Sequence, residues 1–591
     1  MRRLAFALGT SMLLASYACG GGTDPAMPGT GATSGGGGAT NPCASVTPPG
    51  QELRSCQMTG IGSPETWARC VGSMTDDDGN AIGVDLAGNI YLGVGMGDSD
   101  TDETRQATMC FGISATEYGT VDFGGMALSS DGDEDPALAK YDRAGNLIWV
   151  KSAPGMGGEG EVRAVAVDPV DGSVIAVGDF QGAAAWDPNV PLVSQHRDLF
   201  IAEFFPDGTL AWSQTAMVVP DAMGNGDADA WGVAVVPSTE NIIVTGDFEG
   251  TITFGATTPQ PRVLTAQGTT DMFVAEFDKA GNVLWADDAG GQGDRSVGRD
   301  ITIEPGDGSE LVVGTMSGSG VEHITDQFGG DIALTPIGTR GDMILVHYDA
   351  LGKVMWATHA GNPTQRTRGE GVGHDSLGNV YVTGRFTDCA FFPMTPVVPN
   401  LPAAPFVPAA ACVNGPGYLA AKSAGAGDAD WFIVKYDPSG IPLWVKTAGG
   451  LEDDRGYAIE VYDPIPPNPA AGPPALYVGG RIQGTATFGT PPGPTLMATS
   501  PSTGSGFGGD SHAVAKYDLE GNLLWVKTVG GTGDNDLEDI AVDPTDGAVV
   551  GTGNFAGTAI FQGGIMLQSA SGNVGNNDDD ILFWRFRADG N

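Results

Sequence analysis

The side chains best suited by type to do chemistry are four acidic runs: "DSDTDE" (98–103), "DGDED" (131–135), "DNDLED" (534–539) and "NNDDD" (576–580). Clustered carboxylates supply the oxygen-rich shell that calcium takes. None of the runs follows EF-hand spacing, and in "DGDED" the place of the loop Gly is taken by Pro136. They are therefore expected to be solvated loops, with calcium as the alternative. The histidines, His196, His323, His347, His359, His374 and His512, form no HExxH pair and neighbour no nucleophile motif. There is no GxSxG elbow and no phosphate-cradling Gly loop. No catalytic, cofactor-binding or metal-ligating residue is predicted from these patterns. A site assembled from distant loops would leave no local motif.

Cysteine chemistry points outside the cytoplasm. Cys19, Cys43, Cys56, Cys70, Cys110, Cys389 and Cys412 contain no CxxC and build no zinc pattern with His. Setting Cys19 apart leaves an even number, as an oxidising compartment favours. Nearest neighbours in sequence give Cys43–Cys56, Cys70–Cys110 and Cys389–Cys412 as candidate pairs. The start, "MRRLAFALGTSMLLASYAC", has two Arg, a short apolar run and then small residues. That is a signal peptide over 1–18, too short to span a bilayer. It resembles a bacterial lipoprotein signal, which implies lipidation of Cys19 and a membrane contact through that lipid alone. Residues 19–60, rich in Gly, Ser and Thr, then read as a flexible tether.

The balance of 28 Lys and Arg against 72 Asp and Glu gives a net charge of −44. Such a surface repels phosphate backbones and anionic headgroups, so nucleic acid is not an expected partner. The charge suits solubility outside the cell.

The elements that must position any site come from a repeat. Its unit has Asp, an aromatic six later, Gly ten later and Trp fourteen later, as in Asp271/Phe277/Gly281/Trp285 and Asp430/Tyr436/Gly440/Trp444. One copy has Ser511 for the Asp. The last copy, Asp580/Phe586/Gly590, lacks its Trp, and "SPETWARC" supplies Trp67 at the other end. The β-rich runs "FVAEF" and "NVLWA" flank "DKAG", whose Gly suits a type I turn with a G1 bulge. A second hairpin follows each Trp, as in "AVAVDPVDGSVIAVGDF". Two hairpins make a four-stranded antiparallel sheet, and the recurring Asp is expected to hydrogen-bond local backbone at the strand entry. Strongly twisted sheets repeated radially give a β-propeller. The expected fold is therefore all-β: a single seven-bladed propeller over 61–591, closed by a blade shared between the two ends. A blade completed by the terminal strand leaves no raw sheet edge.

The units "AKYDxxGNLLWVKTxGG" and "GDFxGTxTFG" resemble the bacterial seven-bladed propeller repeat of secreted and lipid-anchored proteins. That resemblance implies the fold and no reaction. One unit departs from it with "GTMSGSGVEHI" (314–324), and a Pro/Ala-rich insertion follows Phe386. The Asp-x-x-Gly-x-x-x-Trp spacing is similar to the tryptophan-docking repeat of quinone-cofactor dehydrogenases, but has one residue fewer between Asp and Gly. The seven Trp are expected to pack blade against blade, and no cofactor is expected. The resulting expectation is a non-enzymatic, lipid-anchored propeller of the bacterial cell envelope that presents loops to a protein or polysaccharide. The rival expectations are an extracellular lyase or hydrolase with its site at the channel mouth, and a calcium-stabilised surface protein.

Overall fold

The computed structural model describes residues 57–59 and 65–590, apart from 74–75, 98–119, 131–133, 156–158, 293–294, 305, 402–411, 426, 465–471, 490–492, 501–508, 532, 534, 562–564 and 570–578. Every regular element among them is a β-strand, and all strand pairs are antiparallel. The fold is a β-propeller. Blade 1 takes Asp78–Val84, Ile90–Met96, Asp135–Tyr141 and Leu147–Ser152 in spatial order. The same up-and-down order recurs in blades 2 to 6, whose inner strands are Gly160–Val167, Ala228–Val236, Arg295–Ile303, Thr367–His374 and Arg455–Tyr462. A further sheet, blade 7, runs Asn535–Val542, Val549–Phe555, Asp580–Phe586 and Trp67–Val71. Its outer pair matches Trp67 to Arg585 and Val71 to Ile581.

The third strand of each blade explains why alternation is weak in the sequence. Asp271–Phe277, Asp510–Tyr517 and Asp580–Phe586 are buried along their whole length. They are covered on both faces by neighbouring blades, so apolar residues stand at successive positions. The turn after this strand follows the expected chemistry. Gly281 N donates to Asp278 O at 2.8 Å, Asp278 N donates to Asn282 O at 2.9 Å, and Gly281 has φ of 80°. Asp278 Oδ1 also accepts from the Ala280 and Asn282 amides, an Asx turn that fixes the loop.

The recurring Trp packs blade on blade. Trp149, Trp212 and Trp356 donate their indole N–H to the carbonyls of Pro206, Lys279 and Pro438, in the hairpin turn of the following blade. A Cβ on that hairpin's Gly would sit 2.9 Å from Trp149 at Gly208 and 2.5 Å from Trp285 at Gly352. The motif Gly therefore serves twice, for its positive φ and for the close approach of an indole. Trp525 of blade 6 lies in the same way on Gly590 of blade 7, and Trp67 of blade 7 on Gly145 of blade 1. Inner strands follow one another in chain order, and Asp78–Val84 packs against both Gly160–Val167 and Asn535–Val542.

The strand-entry Asp does what its spacing implies. Asp271 accepts from the Gln267 and Gly268 amides at 2.7 and 3.0 Å, and Asp342 from Ile337 and Gly338. Opposite it stands the Gly after the Trp strand. A Cβ on Gly290 or Gly361 would fall about 2.0 Å from the Asp271 or Asp342 carboxylate. These glycines lie in or beside strands rather than in turns, and they are small because a buried carboxylate occupies the space.

One expectation needs revision. The tether read over 19–60 contains a strand, Gln57–Thr59, which pairs with Ile565–Gln568. An unpaired hairpin edge recruits it, so paired structure begins before residue 61. The Pro/Ala-rich insertion is clipped by Cys389–Cys412, as expected. Cys70 is disulfide-bonded, while its expected partner Cys110, and also Cys19, Cys43 and Cys56, lie outside the described residues.

Candidate functional site at the channel mouth

Each inner strand carries one extra residue at the same level. The register with the second strand slips between Gly79 and Ala81, Val162 and Ala164, Ala230 and Gly232, and Gly298 and Asp300. It slips again between Gly369 and Gly371, Gly456 and Ala458, and Leu537 and Asp539. Each is a β-bulge, a device that re-aims a side chain. The bulged residues are Asn80, Arg163, Trp231, Arg299, Glu370, Tyr457 and Glu538. All of them line one cavity of about 260 Å³ in the channel, and all line the smaller space of about 210 Å³ at its mouth.

Local contacts hold this ring in place. Trp231 donates its indole N–H to Asp247 Oδ1 at 2.7 Å. The guanidiniums of Arg163 and Arg299 lie 4.7 and 4.3 Å from the Trp231 ring centroid, cation–π contacts that space the two charges. Arg163 also reaches Asp179 at 2.9 Å and Glu161 at 2.8 Å. Asn80 Nδ2 donates to Glu161 Oε2 at 2.7 Å. Glu370 faces two guanidiniums, Arg385 at 3.4 Å and Arg299 at 3.9 Å. Burial, reinforced by Asp536, Asp78 and Glu370, pushes the Glu538 carboxyl up to about 8.

One layer deeper the polar groups are structural. Asp300 accepts from its neighbour Ile301 N and from Val372 N of the next blade, both at 2.8 Å. Asp539 likewise joins Ile540 N and Ile82 N at 2.7 and 2.9 Å. These carboxylates staple adjacent inner strands. His374 lines the channel with Nδ1 2.9 Å from Thr302 Oγ1, and burial draws its imidazole down to about 4.

The acidic run at 98–103 lies outside the described residues, and the other three are placed differently from the loops expected. Their described members Glu134, Asp135, Asp536, Glu538, Asp539 and Asp580 are buried or half-buried, because the runs enter strands that other blades cover. Glu134 meets Asp78 and Glu161, their oxygens within 4.8 Å of one another, and Arg163 pairs with that group. A second trio, Asp168, Asp171 and Glu240, closes around Lys279 Nζ. In both, a side-chain cation already sits against the carboxylates. Of the other histidines, His512 accepts from Trp584 Nε1 and faces the Asn554 carbonyl at 3.2 Å, a packing role.

The bulge ring has a faint signature. Gly or Ala precedes it in five copies, at Gly79, Ala230, Gly298, Gly369 and Gly456. The bulged position itself varies, with Arg and Glu twice each and Asn, Trp and Tyr once, so a search for sameness passes over it.

Residues 356–385 match the SBBP beta-propeller repeat. An uncharacterized WD repeat-containing protein of Acanthamoeba polyphaga mimivirus is 24% identical over 83% of this chain, which spans only 36% of that protein's length. Among solved structures, the NanB sialidase of Streptococcus pneumoniae is 9% identical with a TM-score of 0.30, covering 90% of this chain and 70% of its own. A leech intramolecular trans-sialidase is 9% identical with a TM-score of 0.33, covering 85% of this chain and 91% of its own. The repeat match and the sheets described above together support a place among β-propeller proteins.

Proposed function

We propose that the chain is a non-enzymatic binding propeller, one closed ring of seven blades that offers its channel mouth to a glycan or protein in a bacterial cell envelope. The closed ring is supported by the Trp-on-Gly succession from Trp67 and Gly145 round to Trp525 and Gly590. The binding role is carried by the bulge ring. A bulge kept for structure alone would be filled alike in every repeat, whereas Asn80, Arg163, Trp231, Arg299, Glu370, Tyr457 and Glu538 offer amide, cationic, aromatic and acidic groups to one ligand. Tyr457→Ala should weaken binding to purified envelope polysaccharides at least tenfold with the melting temperature unchanged. Undiminished binding by that variant would overturn the reading.

A second reading, a polysaccharide hydrolase or lyase, is favoured by one pair. Burial lets Glu538 keep its proton near neutrality, as a general acid requires, and Glu370 stands in the same ring against two guanidiniums. Release of reducing ends or unsaturated products by the wild type, lost in Glu538→Gln, would establish it.

Anchoring is proposed to rest on the Cys19 lipid. Cys19→Ser should move the protein from the membrane fraction to the soluble fraction, because the lipid on that residue is the proposed link to the bilayer. A variant that stays in the membrane fraction would contradict this.

A further inference from the structure

With 28 Lys and Arg facing 72 Asp and Glu, a cation that lacks a carboxylate is unusual in this chain. Arg340, Arg366 and Arg368 lie together and form no ion pair among the described residues. Arg366 donates Nε to the Arg340 carbonyl at 3.3 Å, and the buried Arg368 Nε finds no acceptor. Neighbouring Arg385 shares only Glu370 with Arg299. Burial, then the nearby charges of Arg385, Arg366 and Arg299, outweigh the pull of Glu370 and draw the Arg368 guanidinium down to about 10. Like charges held together without partners are what a site for an anion requires.

A groove of about 680 Å³ runs past Arg340, Arg366 and Arg385. Arg385 also borders the channel mouth, so the two spaces adjoin. The groove is within the usual range for ligands, roughly 300–1,000 Å³, and larger than one inorganic anion needs. Hydroxyl and amide side chains share its lining, among them Ser317, Thr339, Gln365 and Thr387. Donors of this kind suit ring hydroxyls, and guanidinium forks suit carboxylate or sulfate oxygens.

We propose that this groove, from Arg368 and Arg385 at the channel mouth to Arg366 and Arg340, binds the anionic groups of an acidic saccharide. The inference rests on the binding role given above to the bulge ring, and names its ligand class.

The test is titration of the full chain with a uronate oligosaccharide, a sulfated oligosaccharide, a neutral oligosaccharide, inorganic phosphate and a single-stranded oligonucleotide, comparing wild type with Arg366→Gln/Arg368→Gln. Binding of the uronate or the sulfated ligand, weakened at least tenfold in the double variant, is expected; which of the two binds identifies the anionic group. The melting temperature should not fall, because the lost charges had no partners, and a marked fall would show the arginines to be structural. Neutral saccharide bound equally well by both proteins would overturn this inference and leave the bulge ring standing. Binding of the oligonucleotide or phosphate alone, or equal binding of the acidic ligands by the variant, would also overturn it. Failure of every saccharide to bind would remove both.

Discussion

Removal of residues 578–591 should leave a protein that is insoluble or rapidly proteolysed. The strand Asp580–Phe586 is not an edge. It pairs with Val549–Phe555 on one side and Trp67–Val71 on the other. Ile581, Leu582, Phe583, Trp584 and Phe586 are all fully buried. Phe583 packs edge-on to Trp67 at 5.5 Å between centroids, and Phe586 stacks on Phe561 at 4.5 Å. Truncating a single core aromatic costs about 3–5 kcal/mol, against a total stability of roughly 5–15 kcal/mol for a typical domain. The deletion also strips Asp543 of Arg585, which reaches it at 2.9 Å with both side chains buried. Asp543 keeps Arg143 at 2.9 Å but loses the buried half of its pairing. Limited proteolysis and thermal melting check this. Deletion of residues 20–40, by contrast, should leave melting unchanged. A soluble 578–591 deletion that melts like the wild type would contradict the shared blade.

Stability should fall as pH rises from 6.5 to 8.5. Burial, with help from like charges, pushes the carboxyls of Asp77, Asp229, Asp287, Glu460, Glu538 and Asp539 up to about 8. Their unfolded values are about 4. A carboxyl that binds its proton more tightly when folded stabilises the fold fully below about pH 4, and loses that contribution as pH climbs through about 8. His359, His374 and His512 work the other way, since burial lowers each to about 4. Their contribution is complete above about pH 6.5 and is lost as pH falls toward 4. Between 6.5 and 8.5 the carboxyls act in this direction, each removing up to about 1.4 kcal/mol per pH unit, while Lys516, which burial lowers to about 8, opposes them only toward the top of the range. Two of the six acting fully would lower stability by about 3 kcal/mol per unit. The melting temperature, followed at constant ionic strength, should drop by several degrees. A flat or rising profile would show that these groups ionise freely in the folded protein.

Much of the scaffold was legible because the repeat makes the same demand each time. The Asp–aromatic–Gly–Trp spacing encodes a hairpin and its contact with the next blade, so the turn at Asp278–Gly281 and the burial of Trp212 follow from residue type. The pairing of Trp67–Val71 with Asp580–Phe586 was legible from the half motif in each segment. The candidate site was not. Arg163, Glu370 and Tyr457 share a position but no chemistry, and the bulges that aim them inward leave only a small residue before them as a trace. The arginine groove was hidden for another reason. Arg366 and Arg368 enter the inner strand of blade 5, where Arg368 stands opposite Arg385 of the second strand, and only the packing of a blade 4 connection against them adds Arg340. The glycine after the Trp strand was not legible either, because only the structure shows the carboxylate of Asp271 or Asp342 in the space a side chain would fill.

The most direct test of the channel mouth as the binding site is hydrogen–deuterium exchange on the full chain, with and without an acidic oligosaccharide that binds it. The account predicts slowed exchange at the start of the inner strands, around Asn80, Arg163, Trp231, Arg299, Glu370, Tyr457 and Glu538, and over residues 366–368. Protection confined to the outer strands or to the opposite end of the channel, around Val84, Val167 and Ile303, would contradict it.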